Sequence, residues 1–538
     1  MKKWNKLFAL LMALVMVLSL AACGNSNGGS SDAPSGGSSA PSDNGGEATG
    51  TKTFVFGSDA NANTFDVATD LQTNSARALV NSVMQTLWLV NKDGTVTDVL
   101  AESHEWTGDL ELTIHLRQGV TYSNGNAFTS DDVLFNLEHL RDSGRTASMV
   151  ACVDFDKTTC PDDYTIILAM TTYDAGFYDV MANCYLMDRE TCEADGWNYG
   201  WLYGTGPYKL KGDGVSDKSG WEESVQYTMV RNETYWGEAP YYDEIIVKFY
   251  SEESTRYADL QAGNLDAAFL TEASYVNNLG NGAVNGVGLV QASAQSVYGF
   301  QLSAGKDTVG AFSDINIRKA FAHGINIEEM VTVLGEGIYK VATSVLGEDN
   351  WAYENVGTYQ YDPDYAKECL AAAGYSVDNP LTVTIVAEST AFNQAIATQA
   401  QASLAQIGIN LDLSGMGDFA TILPTLISGQ QQLGIGNPSN GAGNDPASLL
   451  QQLGPLSDNV LMRQNDETAT DLFNRGSASR DQAERTQIYK EYQEYLHDNY
   501  LYIPMWNETK NYGVKDGHNS FESALDNSNQ LNPTLLTD

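Results

Sequence analysis

The stretch Thr121–Leu140, TYSNGNAFTSDDVLFNLEHL, decides how the rest of the chain is read. Its adjacent carboxylates, Asp131 and Asp132, could be taken for a metal site or an acid/base pair. Their neighbours favour a structural role. Ser123-Asn124-Gly125 has the composition of a turn, with Gly where a positive φ is expected. Thr129 stands three residues before Asp132 and heads an apolar stripe of Val133, Leu134, Leu137 and Leu140. That is a variant of the capping box, in which hydroxyl and carboxylate serve each other's backbone amides. Both aspartates also lie where the positive end of a helix dipole favours them. The pattern predicts a helix start rather than a reaction centre.

Outward from this stretch, helix and strand patterns alternate, which argues for an α/β protein. In LTIHLRQGV (112–120), Leu112, Ile114 and Leu116 alternate with Thr113, His115 and Arg117, a half-buried strand. YTIILAM and DEIIVKFY read as more buried strands. YDPDYAKECLAAAGY sets Asp362 as N-cap, Pro363 at the first helical position and Gly374 as the stop. AIATQAQASLAQIGI aligns Ile396, Ala400, Leu404 and Ile407, and the strand INLDL follows. AERTQIYKEYQEYLHD aligns Ile488, Tyr492 and Tyr495, and YLYIPMW then alternates like a strand until Pro504.

These pieces together resemble the family 5 extracytoplasmic solute-binding proteins, the peptide, nickel and oligosaccharide receptors of ABC importers. A strand ending in Arg, a Ser-Asn-Gly turn and Phe-Thr-x-Asp-Asp-Val before an apolar helix form the first element of the likeness. GTGPYKL (204–210), RNETYWGEAPYYDEIIVKFY (231–250) and RYADLQAGNLDAAF (256–269) continue it in order. FSDINIRKAFAHGINIEEMV (312–331), YDPDYAKECLAAAGY (361–375), AQIGINLDL, NDPASLL and ERTQIYKEYQEYLHDNYLYIPMW complete it. The resemblance implies a periplasmic-binding-protein-like fold (type II, cluster C) with three lobes and a hinged ligand cleft. Lobe I would comprise 51–86, 203–299 and 498–538, lobe II 87–202, and lobe III 300–497. Ligand would be enclosed between lobes I and III and delivered to an ABC permease, by a monomer without catalysis or cofactor.

The N-terminus carries its own signal. Lys2, Lys3 and Lys6 precede an apolar run from Leu7 to Leu20 that is too short to span a bilayer. This reads as a secretory leader of residues 1–22. Leu20-Ala21-Ala22-Cys23 resembles the lipobox of bacterial lipoproteins, which implies lipidation of Cys23 and a place on the outer face of the cytoplasmic membrane. The Gly-, Ser- and Asn-rich segment up to Gly50 cannot bury enough apolar surface to fold and reads as a tether with a reach of about 25–30 Å. A formal charge of -40 argues against nucleic acid as a partner. Cys369 sits at core spacing, whereas Cys152, Cys160, Cys184 and Cys192 could form two disulfides or remain thiols.

The ligand-facing candidates are Asp59, Asn61, Trp351, Glu388, Phe392, Asn437, Asn440, Asp445 and Trp506. Dipeptide receptors of the family hold the ligand ammonium with an Asp whose counterpart here falls near Ala442, in GIGNPSNGAGNDPASLL, with Asp445 a substitute or a helix cap. Their carboxylate-binding Arg is absent from VAESTAFNQA, which has Glu388 instead. A buried charged end without its partner costs several kcal/mol. The expectation is therefore an oligopeptide held through its backbone. An oligosaccharide stacked on Trp351 and Trp506, with Asn437 and Asn440 as its carboxamides, is the alternative, as is a metal chelate. The six histidines show no metal-binding spacing. Ser303-Ala304-Gly305-Lys306 with Ser457-Asp458-Asn459 echoes penicillin-binding enzymes, but K-T-G is missing and Ser303 follows a strand pattern where a nucleophile needs a helix start.

Overall fold

The computed structural model describes residues 51–59, 66, 74–143, 146–200, 202–212, 217, 219–222, 224–303, 310–427, 431–438, 443–453 and 466–538. Residues 51–538 form one compact unit. Cys23, the leader and the tether lie outside the described residues, as do Asn61 and Asn440. No helix among the described residues is long and apolar enough to cross a membrane.

The main sheet follows the order Leu433–Gly436, Val287–Leu302, Tyr502–Lys515, Ala267–Leu270, Thr53–Ser58, Glu244–Phe249, Gln226–Arg231, Tyr208–Leu210. Thr53–Ser58 pairs in parallel with both of its neighbours, and the other pairings are antiparallel. Strand periodicity divides its side chains between two cores. Phe54 and Phe56 pack with Tyr208, Tyr227, Ile245 and Tyr512, while Val55 packs on the opposite side with Leu260, Leu265 and Leu279.

Residues 87–186 carry a core of their own around the antiparallel sheet of Ala101–Gly108, Glu111–Leu116, Thr165–Ala169 and Thr159–Asp162. The opening stretch belongs here. The helix runs Ser130–Asp142 with Thr129 as its N-cap. The Thr129 amide donates to Asp132 Oδ2 at 2.8 Å and the Thr129 hydroxyl to the same oxygen at 3.1 Å. Asp132 Oδ1 accepts from the Arg189 amide at 3.1 Å. Burial pushes the Asp132 carboxyl up, and these hydrogen bonds work against that shift. Asp131 is exposed, 3.9 Å from the Arg189 guanidinium. The turn is tied down as well: Asn124 and Asn126 both donate to Asp188 Oδ2, at 2.7 and 2.8 Å.

A third body of packing joins the helices Ile315–Gly324, Pro363–Ala372 and Ala391–Ala405 to the parallel pair Leu381–Thr384 and Ile409–Asp412. Ile396, Ala400, Leu404 and Ile407 are all fully buried there, and Asp362 caps its helix through the Tyr365 amide at 2.9 Å. Next to it, Gln482–Asp498 packs on Glu467–Ala478 through Ile488, Tyr489 and Tyr492. The strands Val287–Leu302 and Tyr502–Lys515 connect all of this. Their 287–290 and 512–514 ends lie in the cores around Phe56 and Leu260, and their 297–302 and 502–506 ends lie in those around Phe300 and Tyr492. Their register shifts between Ser293 and Val297 and again between Tyr298 and Gly299.

One expectation is corrected. The last strand does not stop at Pro504 but continues to Lys515. Pro504 pairs with Gly299 at a register shift, where the missing amide hydrogen is tolerated. The cysteines Cys152, Cys160, Cys184, Cys192 and Cys369 are all free thiols, one of the two states that the sequence left open. Burial pushes the Cys184 and Cys192 thiols up to about 12, well away from a reactive thiolate.

Candidate functional site

The sequence candidates fall into two groups on the described residues. Trp506, Phe392, Glu388 and Asn437 belong to the first. Trp506 lies in the long strand opposite Tyr298, and Gly299 pairs with Gly436, which brings Asn437 into line with Tyr298 from the other side. The Trp506 ring is stacked with Tyr298, at 5.4 Å and 16°, and with Tyr339, at 5.5 Å and 10°. Phe392 meets Trp506 edge-on at 5.4 Å. Trp506 is 1% exposed, whereas Tyr298, Tyr339 and Phe392 are half-buried.

Polar groups tie this aromatic wall to its surroundings. The Tyr298 hydroxyl donates to Asn393 Oδ1 at 2.6 Å, and Asn393 Nδ2 donates to the Glu388 carbonyl at 2.9 Å. Glu388 itself is exposed. The Asn437 carbonyl accepts from Gln301 Nε2 at 3.2 Å. Gln295, in the irregular stretch of the long strand, is 4% exposed, and neither its Oε1 nor its Nε2 has a hydrogen-bond partner among the described residues. Of this wall the sequence candidates include Trp506 and Phe392 but not Tyr298, Tyr339 or Asn393. The strand pattern VYGFQL contained Tyr298, but nothing in it marked the side chain as part of a wall.

Trp351 and Asp445 belong to the second group. Asp445 caps the short helix Pro446–Leu449, accepting from the Ala447 amide at 2.8 Å, and the same oxygen accepts from Arg485 Nη2 at 2.5 Å. Arg485 also donates to the Gly476 carbonyl at 2.8 Å, and its guanidinium lies 5.2 Å from the Trp351 ring centre. Burial works against the Arg485 charge, but the Asp445 carboxylate outweighs it and holds the guanidinium above its ordinary value. Asp179, from the helix Phe177–Asn183, joins from the 87–186 core. Burial, and then the nearby Asp445 charge, push its carboxyl up to about 7. Beside the cluster is a cavity of about 280 Å³, lined by Trp106, Tyr173, Tyr178, Trp351 and Arg480 among others.

Asp59 stands apart from both groups, exposed at the end of the strand Thr53–Ser58 and accepting from the Ser58 hydroxyl at 3.3 Å. Ser303 lies just past the end of a strand, with its amide donating to the Gln432 carbonyl at 3.0 Å. Lys306 and Ser457-Asp458-Asn459 are outside the described residues. Among the described residues no three metal-ligating side chains gather.

Residues 95–459 match the family profile of the bacterial extracellular solute-binding proteins, family 5. The chain is 25% identical over 451 residues to the glutathione-binding protein GsiB of Salmonella paratyphi A, covering 81% of this chain and 85% of that one. Its fold matches the periplasmic binding protein DppA of Helicobacter pylori, solved with the peptide STSA, with a TM-score of 0.72 and 22% identity over 90% of this chain and 98% of that one. It also matches NikA of Brucella suis, solved with Fe(III)-EDTA, with a TM-score of 0.73 and 20% identity over 90% and 99% of the two chains.

Proposed function

The chain belongs to the bacterial extracellular solute-binding proteins of family 5, and on that premise we propose that its solute is an oligopeptide, captured by hinge closure and passed to an ABC permease. The observation that carries this choice is the burial of Trp506, 1% exposed with the Tyr298 and Tyr339 rings nearly parallel to it at 5.4 and 5.5 Å. A sugar needs an open aromatic face to stack on, and the strongest candidate platform is already occupied. Arg485 lies over the Trp351 ring, so the second platform is shared too.

The charged groups favour a chain of peptide units over a free dipeptide. The Asp445 carboxylate is neutralised by Arg485, which leaves it a poor anchor for a ligand ammonium. Gln295 offers one unpartnered donor and one unpartnered acceptor, the complement of a single peptide group. GsiB and DppA, whose names or structures carry peptide-like solutes, support the same class. NikA with its iron chelate supports the alternative, a metal carried inside an organic ligand.

The lobes in this reading follow the sequence division, with the strands Val287–Leu302 and Tyr502–Lys515 as the hinge between lobes I and III. Closure is favoured only by the ligand's extra affinity for the closed state. Cys23 anchors the receptor by its lipid to the outer face of the cytoplasmic membrane, as a monomer that performs no catalysis.

A thermal-shift screen of the purified protein against di- to pentapeptides, oligosaccharides and metal chelates tests the proposal. A peptide present at 100 times its Kd adds about 2.7 kcal/mol of stability. A shift with a sugar or a chelate and none with any peptide would overturn the choice of solute.

A further inference from the structure

Asp179 and the Gly443–Asp445 turn come from different cores, yet they meet in the interior. Asp179 Oδ2 accepts from the Asn444 amide at 3.1 Å and from the Asp445 amide at 2.7 Å. The approach requires a glycine at 443, because a Cβ there would collide with this same oxygen. The turn is held from two further sides. Asn350 Nδ2 donates to the Asn444 carbonyl at 2.9 Å, and Asn444 Nδ2 donates to the Val90 carbonyl at 3.3 Å.

This contact is the buried centre of a longer seam. The Ala175 amide donates to the Ser477 carbonyl at 3.0 Å, and Gln482 Nε2 donates to the Asp93 carbonyl at 2.7 Å. The Arg480 guanidinium lies 4.3 Å from the Trp106 ring and 4.6 Å from the Tyr173 ring. Residues 87–186 thus grip the segment that directly follows GNPSNGA, where the ligand candidates Asn437 and Asn440 lie.

We propose that Asp179 is a positioning residue for closure: by gripping the Gly443–Asp445 turn across this seam, it holds that turn against residues 87–186 in the closed receptor. The proposal rests on the closure reading above and adds to it the side chain that couples the second lobe to the cleft.

The grip has a pH dependence whose sign follows from its surroundings. Asp445, Arg485, Asp174, Tyr173, Tyr178 and Arg480 are the titratable and charged groups around Asp179. Burial and the Asp445 charge bring the Asp179 carboxyl to about 7 in the closed seam. In an open seam, exposed to water, it returns towards the ordinary carboxylate value of about 4. The closed form therefore takes up a proton between these two values, and closure weakens as pH rises through about 7.

Hydrogen exchange of the full chain without added solute tests the grip at the amides it holds. In Asp179→Ala, the Asn444 and Asp445 amides lose about tenfold or more of their protection, while the strand Glu111–Leu116 keeps its own. Asp179→Asn retains a neutral acceptor and keeps the protection. Corrected for intrinsic exchange, wild-type protection at these amides falls between about pH 6 and about pH 8, and that of Asp179→Asn does not. Unchanged protection in Asp179→Ala, the same pH profile in wild type and Asp179→Asn, or loss spread evenly over the whole chain would each overturn the proposal. No solute enters the measurement, so an error in the solute class would surface in the thermal-shift screen and not here.

Discussion

Arg485 Nη2 meets Asp445 Oδ1 at 2.5 Å, with both side chains nearly enclosed. The pair links the helix Gln482–Asp498 to the cap of Pro446–Leu449, and it turns a potential ammonium anchor into a structural contact. Removing one partner strands the other charge in a poorly solvated place. Arg485→Met is expected to cost about 3–5 kcal/mol in urea unfolding, with most of the loss recovered in the double variant Arg485→Met/Asp445→Asn. A single-variant loss below about 1 kcal/mol would place the pair in the solvent-screened class.

The aromatic wall separates stability from affinity. Trp506→Ala removes a fully buried ring with two stacked neighbours and is expected to destabilise the protein by about 3–5 kcal/mol. Phe392 is half-buried at the edge of the wall. Phe392→Ala is expected to weaken binding of the best peptide from the screen by about tenfold, with a smaller loss of stability. Calorimetric titration and urea midpoints on the same preparations check both expectations.

The pair His518–Asp266 sets a pH dependence of stability. His518 Nε2 lies 3.4 Å from Asp266 Oδ1. The hydrogen bond to Asp266 raises the His518 pKa above 6.5, against the opposing effect of burial. Its contribution is complete below about 6.5 and is lost as pH rises through the raised value. On the acid side, burial pushes the Asp266 carboxyl up, but hydrogen bonds from His518 and the Val55 amide leave it below 3.8. That contribution is present above 3.8 and is lost as pH falls through the lowered value. His518→Gln is expected to flatten the decline of stability above pH 6.5, measured by urea unfolding across the pH range.

The thiols give a count. Alkylation of the unfolded, unreduced protein is expected to modify all of Cys152, Cys160, Cys184, Cys192 and Cys369, as read by peptide mass spectrometry. In the folded protein Cys160, the one of the five that is half-buried, reacts first. Any pair that requires reduction before alkylation would show the disulfide alternative instead.

Local rules carried the sequence reading where the governing contacts are short-range. The cap Thr129–Asp132 spans three residues, and the stripe Ile396, Ala400, Leu404 and Ile407 repeats at helical spacing, so each announces itself in one dimension. Pro504 shows where such rules stop. A proline ends a regular strand, but the register shift opposite Gly299 that accommodates it is supplied by a strand some 200 residues earlier. The site is less legible for the same reason. Trp506 stands out as an aromatic residue, but Tyr298 and Tyr339, which stack with it, come from two other segments. Asp445 was visible as a cap, but its neutralising Arg485 lies 40 residues on and Asp179 lies 266 residues back.

The two long strands have a mechanical consequence. Each contributes side chains to cores on both sides of the irregular stretch 293–297, and their ladder is regular up to that stretch from the 287 end. In the proposed closure such an element acts as a flexure and not as a sliding bearing. Rotation between the two ends is absorbed as torsion in a few residues, with no apolar surface dragged through water and no ladder unzipped. In that closure the rest of the fold stays rigid, and the change in backbone angles is confined to those few residues.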